Sequence, residues 1–449
     1  MARRFLSALL GFTLTLLPVL ALAQAPLTLD EAIALAMARN PTLAGAQAAG
    51  REAAADSHLA RSARLPQVEF SDAWQRSTQS VAGFGTLLNA RRFTAADFAL
   101  DRLNRPGSID GFSRRVGVSH LVFDAGRTRT AVTVADRRAD IADARVAAAT
   151  ADLVLHVTRT YGRIVAATSA VDAATGAVSA AREDQARAVA RRGAGAATDA
   201  DVLAMSVYLA DVQQQLLQSQ SELIVARALL NQLMGAPLEQ PFSVALPVMP
   251  PMVVPLETLV GDALRSRPEM QEAELNIAVA NAVVRDARAG WLPTVAAGAG
   301  YEWDGLSFGR RESAWTVSAA VRWNVSLGGA ESARIASAHA ALDRATAGRD
   351  AMRAAIALEV LTAREHWTLA EARRAVGELS VAQSAESLRI TRQRYAAGLA
   401  ASRDVLAAAA AHLAATTQRI SNDIEVVTAW AVLQRALAHA STHPPSSVK

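Results

Sequence analysis

The chain has 449 residues and a formal charge of only +4, and its Arg residues are interleaved with Asp and Glu rather than clustered, which excludes a nucleic-acid surface. Apolar residues make up 51% but aromatics only 5%, so Ala dominates, the best helix former and one that lets helices approach closely. Cys is absent, which excludes disulfides, thiolate metal sites and a lipid-carrying N-terminal Cys.

At the N-terminus, Arg3-Arg4 precede an apolar run from Phe5 to Leu22, and Ala21-Leu22-Ala23 form a small-residue cleavage pattern before Gln24. Residues 1–23 therefore read as a signal peptide, and the chain as exported. A membrane-anchoring helix is the competing reading, against which Gly11, Pro18 and the cleavage pattern count. Beyond this segment no apolar run approaches the roughly 20 residues of a spanning helix, so a mature chain that crosses a membrane must do so as β-barrel.

A first repeat is expected over residues 24–237. Thr28 and Glu31 have the spacing of a capping box and open a helix that Asn40-Pro41 breaks. A second helix runs to about Arg64 and stops at Leu65-Pro66. The period then changes to two: Val68, Phe70 and Trp74 mark a strand pairing with Val116–Phe123, across a long loop from about Ser77 to Arg115. A helix of some 65 residues, roughly 100 Å at 1.5 Å per residue, follows from Arg127 to about Arg191. After the turn holding Gly193 and Gly195, the chain returns with seven-residue steps at Val202, Leu209, Leu216, Leu223 and Leu230, with Met205, Val212, Ala226 and Leu233 three residues further on, a coiled-coil seam.

Residues 238–255 hold Pro241, Pro247, Pro250, Pro251 and Pro255 and read as an extended connector. A second repeat is expected over 256–440, followed by a disordered tail over 441–449. Its pairs Arg267-Pro268 and Leu292-Pro293 stand at one offset from the first copy, 268 − 41 = 227. Trp315, Val317, Ala319, Val321 and Trp323 alternate with polar partners. Their two Trp residues lie roughly 26 Å apart at about 3.3 Å per residue, the spacing of aromatic girdles on a membrane barrel. A soluble hairpin covering a core would alternate too, and four strands do not close a barrel alone. Val295 to Trp303 forms the partner strand, across a loop holding Asp304-Gly305 and Gly309. A second long helix spans Ala330 to about Ala397. The turn Arg394 to Gly398 and the triplet Asp404-Val405-Leu406 then repeat Gly195 and Asp201-Val202-Leu203 at 398 − 195 = 203. Each turn reads as the tip of a helical hairpin whose Gly supplies a positive φ.

No catalytic constellation emerges. The eight His residues include no ligand pair with a supporting carboxylate, and Gly193 and Gly195 follow a helix where a phosphate-cradling loop requires a strand. Neither an enzyme nor a cofactor is expected.

An exported chain with this twofold repeat resembles the TolC-type outer-membrane efflux channels over essentially its whole mature length. The segments that carry the resemblance are Leu27–Pro41, the junctions Phe123–Arg127 and Leu327–Gly329, and the two tip turns. It implies a mostly α protein with a membrane β-barrel. In a homotrimer each protomer gives four strands to a shared 12-stranded barrel, and the long hairpins form an α-barrel in the periplasm. Its implied partners are outer-membrane lipid, a periplasmic adaptor and an inner-membrane pump, and its implied role is a passive exit duct gated at the tips. By position, Tyr395, Asp404 and Asp201 match family gate residues, while Gly195, Gly398 and Leu399 match the adaptor-contacting tips. Trp315 and Trp323 supply the girdle. The sequence departs from the family at Ala400, where some members carry a gate Arg, and at Ala407, where they carry a second Asp; Arg403 and Asp199 are the substitutes on offer. Two readings of Asp201 and Asp404 stay open, a charged ring at the entrance and simple helix-start carboxylates favoured by the dipole. A non-transporting scaffold or an adaptor is the alternative class; an adaptor would show one hairpin within a β-rich domain.

Overall fold

The structure, a computed structural model, describes residues 26–244 and 256–438. The expected signal peptide, connector residues 245–255 and the tail lie outside the described residues. In chain order the elements are α1 (Leu29–Arg39), α2 (Pro41–Ser62), β1 (Gln67–Ser77), α3 (Ser80–Asn89), α4 (Leu100–Asn104), β2 (Ile109–Phe123), α5 (Arg127–Gly193) and α6 (Asp199–Leu233). They continue as α7 (Leu256–Ser266), α8 (Pro268–Ala289), β3 (Thr294–Ser307), β4 (Arg310–Arg322), α9 (Ala330–Ala396) and α10 (Ser402–Ala436). Each helix of the first half outside the β1–β2 connection has a counterpart of equal length in the second: 11 residues for α1 and α7, 22 for α2 and α8. The long pairs match too, with 67 residues for α5 and α9 and 35 for α6 and α10.

Local chemistry sets the boundaries. The Thr28 hydroxyl accepts from the Glu31 amide at 3.3 Å while Glu31 accepts from the Thr28 amide at 2.9 Å, the reciprocal capping box. Asn40 caps α2 by accepting from the Thr42 and Leu43 amides, with Pro41 in the first turn. At the equivalent place in the second half stands Arg267, only 5% exposed, which pairs with Glu269 and Glu359 instead. Arg435 joins the same network through Glu269 and Asp152. Burial pushes the Glu269 carboxyl up, but hydrogen bonds from Arg267 and Arg435 outweigh it and hold the group at about 2.

The described residues fall into two compact units. One takes them from Arg39–His156, Pro250–Arg373 and Thr428–Lys449. Its sheet is antiparallel in the order β1-β2-β3-β4, so β1 and β4 are its edges. Residues paired across strands share a face, and the register yields the rows Phe70–Val116–Tyr301–Trp315 and Val68–Val118–Ala299–Val317 on one face. The opposite face carries Glu69, Arg115, Glu302, Asp304, Glu312, Ser119 and Ser318. The apolar rows are bare: Phe70, Trp315 and Val317 are 65%, 74% and 71% exposed. Nearer the β1–β2 and β3–β4 turns the same face carries Asp72, paired with Arg114 at 2.7 Å and with Arg311 at 3.0 Å. The helical core of this unit packs Leu259 and Ala263 of α7 on Ile356 and Val360 of α9 and on Leu433 and Leu437 of α10.

Four local expectations are corrected. Strand β2 begins at Ile109, not Val116, and the preceding connection folds into α3, a turn at Ala95–Phe98 and α4 rather than a plain loop. Asp304 and Gly305 lie within β3, not in the connecting loop. A Cβ on Gly305 would stand 2.0 Å from the Arg310 carbonyl oxygen, so glycine lets the strands continue through the irregularity there. Trp323 sits one residue past β4, where its Nε1 donates to the Trp291 carbonyl at 3.0 Å. Finally, α5 contains a stretch long and apolar enough to cross a membrane by composition, where none was expected. That match is by length and composition alone, and Val157, Tyr161 and Ile164 of α5 are fully buried.

The second unit takes its described residues from Met1–Ala38, Val157–Met249 and Arg374–Val427. The seam read from the heptads is its core: Met205, Val212 and Ala226 are buried, and Val178 and Ala181 of α5 pack on Val212, with Leu413 of α10 alongside. Tyr161 ties α5 to the start of α1 through a 2.8 Å hydrogen bond to the Leu27 carbonyl.

Candidate functional site at the hairpin tips

Both hairpins turn in the same way. Gly195 and Gly398 adopt φ of +73° and +75°, a conformation that costs an L residue about 1 kcal/mol or more. Around them the amides of Gly195 and Ala196 donate to the Arg192 and Arg191 carbonyls, and those of Gly398 and Leu399 to Tyr395 and Arg394. These are paired Schellman turns, which satisfy the orphan carbonyls of each helix end.

The returning helices start differently. Thr198 caps α6, its hydroxyl accepting from the Asp201 amide, while one Asp201 oxygen accepts from the Thr198 amide and hydroxyl at 2.8 Å each. The other Asp201 oxygen accepts from the Ser402 hydroxyl of the second hairpin. The Ser402 hydroxyl foremost, then Thr198 and the charge of Arg191, hold the Asp201 carboxyl below its ordinary value. Asp404 stands at the equivalent position of α10, but Ala401 offers no hydroxyl. Among the described residues Asp404 therefore accepts only from the Ala401 amide, at 3.0 Å, and lies 3.6 Å from Arg403.

Tyr395 is buried with Ala188, Met205 and Val405, and Ala400 packs on this cluster. The Arg191 guanidinium lies 4.7 Å from the Tyr395 ring centre and donates to the Tyr395 and Ala396 carbonyls at 2.8 and 3.1 Å. Arg191 thus caps the C-terminus of the other hairpin's helix and covers its aromatic ring. One layer further in, buried Asp184 of α5 accepts from Arg392 of α9 at 2.8 Å and from Arg187. The two tips are joined by polar contacts from Arg191 to Tyr395 and Ala396, from Asp201 to Ser402 and from Asp184 to Arg392.

The expected gate residues therefore divide. Tyr395 and Asp201 meet their partners at the junction between hairpins. Arg403, Leu399 and Asp199 are exposed, and Asp199 pairs with Arg192 at 2.6 Å. Sequence reasoning missed Arg191, Ser402, Asp184 and Arg392. Arg191 had a signal, since it is the repeat equivalent of Arg394 and stands four residues before the turn glycine. Its pairing with Tyr395, 204 residues away, had none. Among the described residues no group of three or more His, Asp or Glu side chains is arranged to hold a metal ion.

The sequence matches the profile of the family described as outer membrane efflux protein over residues 32–236 and 259–439. No curated protein sequence matches it significantly. Among solved structures, the fold is similar to the CmeC outer membrane channel of Campylobacter jejuni, with a TM-score of 0.79 at 16% identity, covering 92% of this chain and 86% of that one. It is also similar to the outer membrane protein VceC of Vibrio cholerae, at 0.77 and 20% identity over 91% and 96% of the two chains. The open state of the Neisseria gonorrhoeae MtrE outer membrane channel matches at 0.74 and 17% identity over 93% and 90%.

Proposed function

Because the chain belongs to the outer membrane efflux protein family, we propose that it is the passive exit duct of a tripartite efflux or type I secretion system. Three copies contribute four strands each to a 12-stranded barrel, and the long hairpins continue the duct through the periplasm to an adaptor and an inner-membrane pump. The observation that carries this reading is the sheet: one face bears a bare apolar band from Val68 and Phe70 across to Trp315 and Val317, the other is charged, and edge strands β1 and β4 are left to pair. An isolated sheet of this kind exposes both edges and its apolar face to water, and closure in a bilayer removes both liabilities. A non-transporting scaffold or adaptor has no use for it.

In the same reading the tips close the periplasmic entrance. Asp404 is the carboxylate with capacity to spare, and three copies would form a ring attracting cations, with Arg403 and Asp199 beside it. Asp201, whose oxygens are engaged by Thr198 and Ser402, acts as a latch between hairpins. Gly195, Gly398 and exposed Leu399 present the surface an adaptor would engage.

The test is fractionation followed by an unheated gel and planar-bilayer recording. The expected result is an outer-membrane trimer that dissociates on heating and forms channels, whose cation preference weakens in Asp404→Ala. Recovery as a soluble periplasmic monomer would sink the reading.

A further inference from the structure

Helices before the strands repeat at an offset of 227 (Pro41 and Pro268) and those after them at 203 (Arg127 and Ala330). The first copy therefore holds 227 − 203 = 24 more residues between α2 and α5 than the second holds between α8 and α9. The excess lies between β1 and β2: residues 78–108 connect them, where Phe308 and Gly309 suffice for β3 and β4.

This segment is folded. Phe93 stacks edge-on with Phe84 and Phe98, centroids 4.8 and 5.0 Å apart, and Thr94 with Asp97 forms a capping box. It is also fastened to one side of the sheet. Thr86 lies against Gly111, a Cβ there coming within 3.2 Å of its methyl group, and the Asn89 side chain lies beside Asp304. Arg91 reaches Glu312 at 3.4 Å and the Ser313 carbonyl at 3.5 Å. Gly111, Asp304 and Glu312 all belong to the charged face, close to the end where β1–β2 and β3–β4 turn. Arg91 itself holds φ of +51° at the position after α3 that glycine usually takes. On α3, Gly83 and Ala90 are buried towards the sheet, whereas Val81 and Leu88, seven residues apart on the opposite side, are 85% and 47% exposed.

We propose that residues 78–108 form a plug inside the outer mouth of the barrel and set the size limit of what leaves. This rests on the trimeric duct, in which the charged face lines the lumen. Twelve strands about 4.8 Å apart and tilted about 45° enclose a circle of about 80 Å, hence about 26 Å across. A helix with side chains is about 10–12 Å wide, so three copies of α3 on that wall meet at the axis. Val81 and Leu88 then face their counterparts on the two other copies, an apolar knot in an otherwise charged passage.

A single introduced thiol reads the mouth independently of the periplasmic tips, because the chain has no native Cys. Thr316→Cys places it on the charged face, further from the outer mouth than Glu312. Whole cells are exposed to a small impermeant maleimide, or to one carrying a polyethylene glycol chain wider than the plugged passage but narrower than the barrel. Three backgrounds are compared: the native segment, residues 78–108 replaced by a short Gly-Ser turn, and Val81→Ala with Leu88→Ala, which keeps the segment should its removal prevent assembly. The small reagent is expected to label all three, and the large one to go from no labelling in the native segment to labelling in either variant. Large-reagent labelling of the native background at the variants' rate, or of no background while the small reagent labels all, overturns the plug and leaves the duct standing. Failure of even the small reagent to label position 316 in any background overturns the lumenal assignment, and the duct reading with it.

Discussion

If the tips close the entrance of the proposed duct, replacing Arg191 with Ala is expected to loosen that closure. The guanidinium donates two hydrogen bonds to the last carbonyls of α9 and covers the Tyr395 ring at 4.7 Å. Hydrogen bonds involving a charged partner contribute about 1.5–3 kcal/mol each, and a half-buried ring contact about 1 kcal/mol. These terms share one side chain and do not add, so about 2–4 kcal/mol is a fair range for the coupling. If the contacts break when the tips part, the closed-to-open ratio falls about 30- to 1000-fold. Single-channel recording of purified trimers reads this directly as open probability at low voltage. Arg192→Ala is the internal control, one residue away. Its exposed pair with Asp199 contributes about 0–1 kcal/mol and does not cross between hairpins. Equal open probability for Arg191→Ala, Arg192→Ala and the native trimer, all assembled in normal yield, would refute the role of Arg191 in closure.

Tyr395→Phe is expected to leave tip opening unchanged or to favour closure slightly, because the buried Tyr395 hydroxyl has no partner among the described residues. Increased opening would mean that a neighbouring protomer takes that hydroxyl. Val317→Arg is expected to cut the yield of heat-dissociable trimer far more than Ser318→Arg. The first puts a charge on the apolar face at a cost of about 2–4 kcal/mol near mid-membrane, the second on the charged face; equal yields would reverse the facing. The Glu269 carboxyl has an ordinary value of 4.5 and is held at about 2 in the folded chain. A depressed value stabilises fully above pH 4.5 and is lost as pH falls towards 2. Denaturant midpoints in detergent should therefore fall less steeply across that window in Glu269→Gln than in the native protein, and parallel curves would contradict the assignment.

What the sequence by itself determined is local or periodic. Thr28 with Glu31, Asn40 before Pro41, and the glycines at 195 and 398 act within a few residues. Capping, ring closure and positive φ are properties of short segments, and the structure carries each of them where the sequence placed it. The seven-residue steps through Met205 and Val212 likewise needed only the pitch of a helix. The alternation along β4 declared two faces, but one strand does not say which residues of three others share them; that came from the register joining Trp315 to Tyr301, Val116 and Phe70. The connection between β1 and β2 read as a loop because α3 is short and two of its ten residues are Gly; tertiary contacts with Gly111, Asp304 and Glu312 hold it. At the tips, Arg191 meets Tyr395 across 204 residues and Asp201 meets Ser402 across 201. Such pairs depend on how two separately formed hairpins pack. No propensity or spacing within either hairpin encodes that choice, and only the tertiary structure decides it.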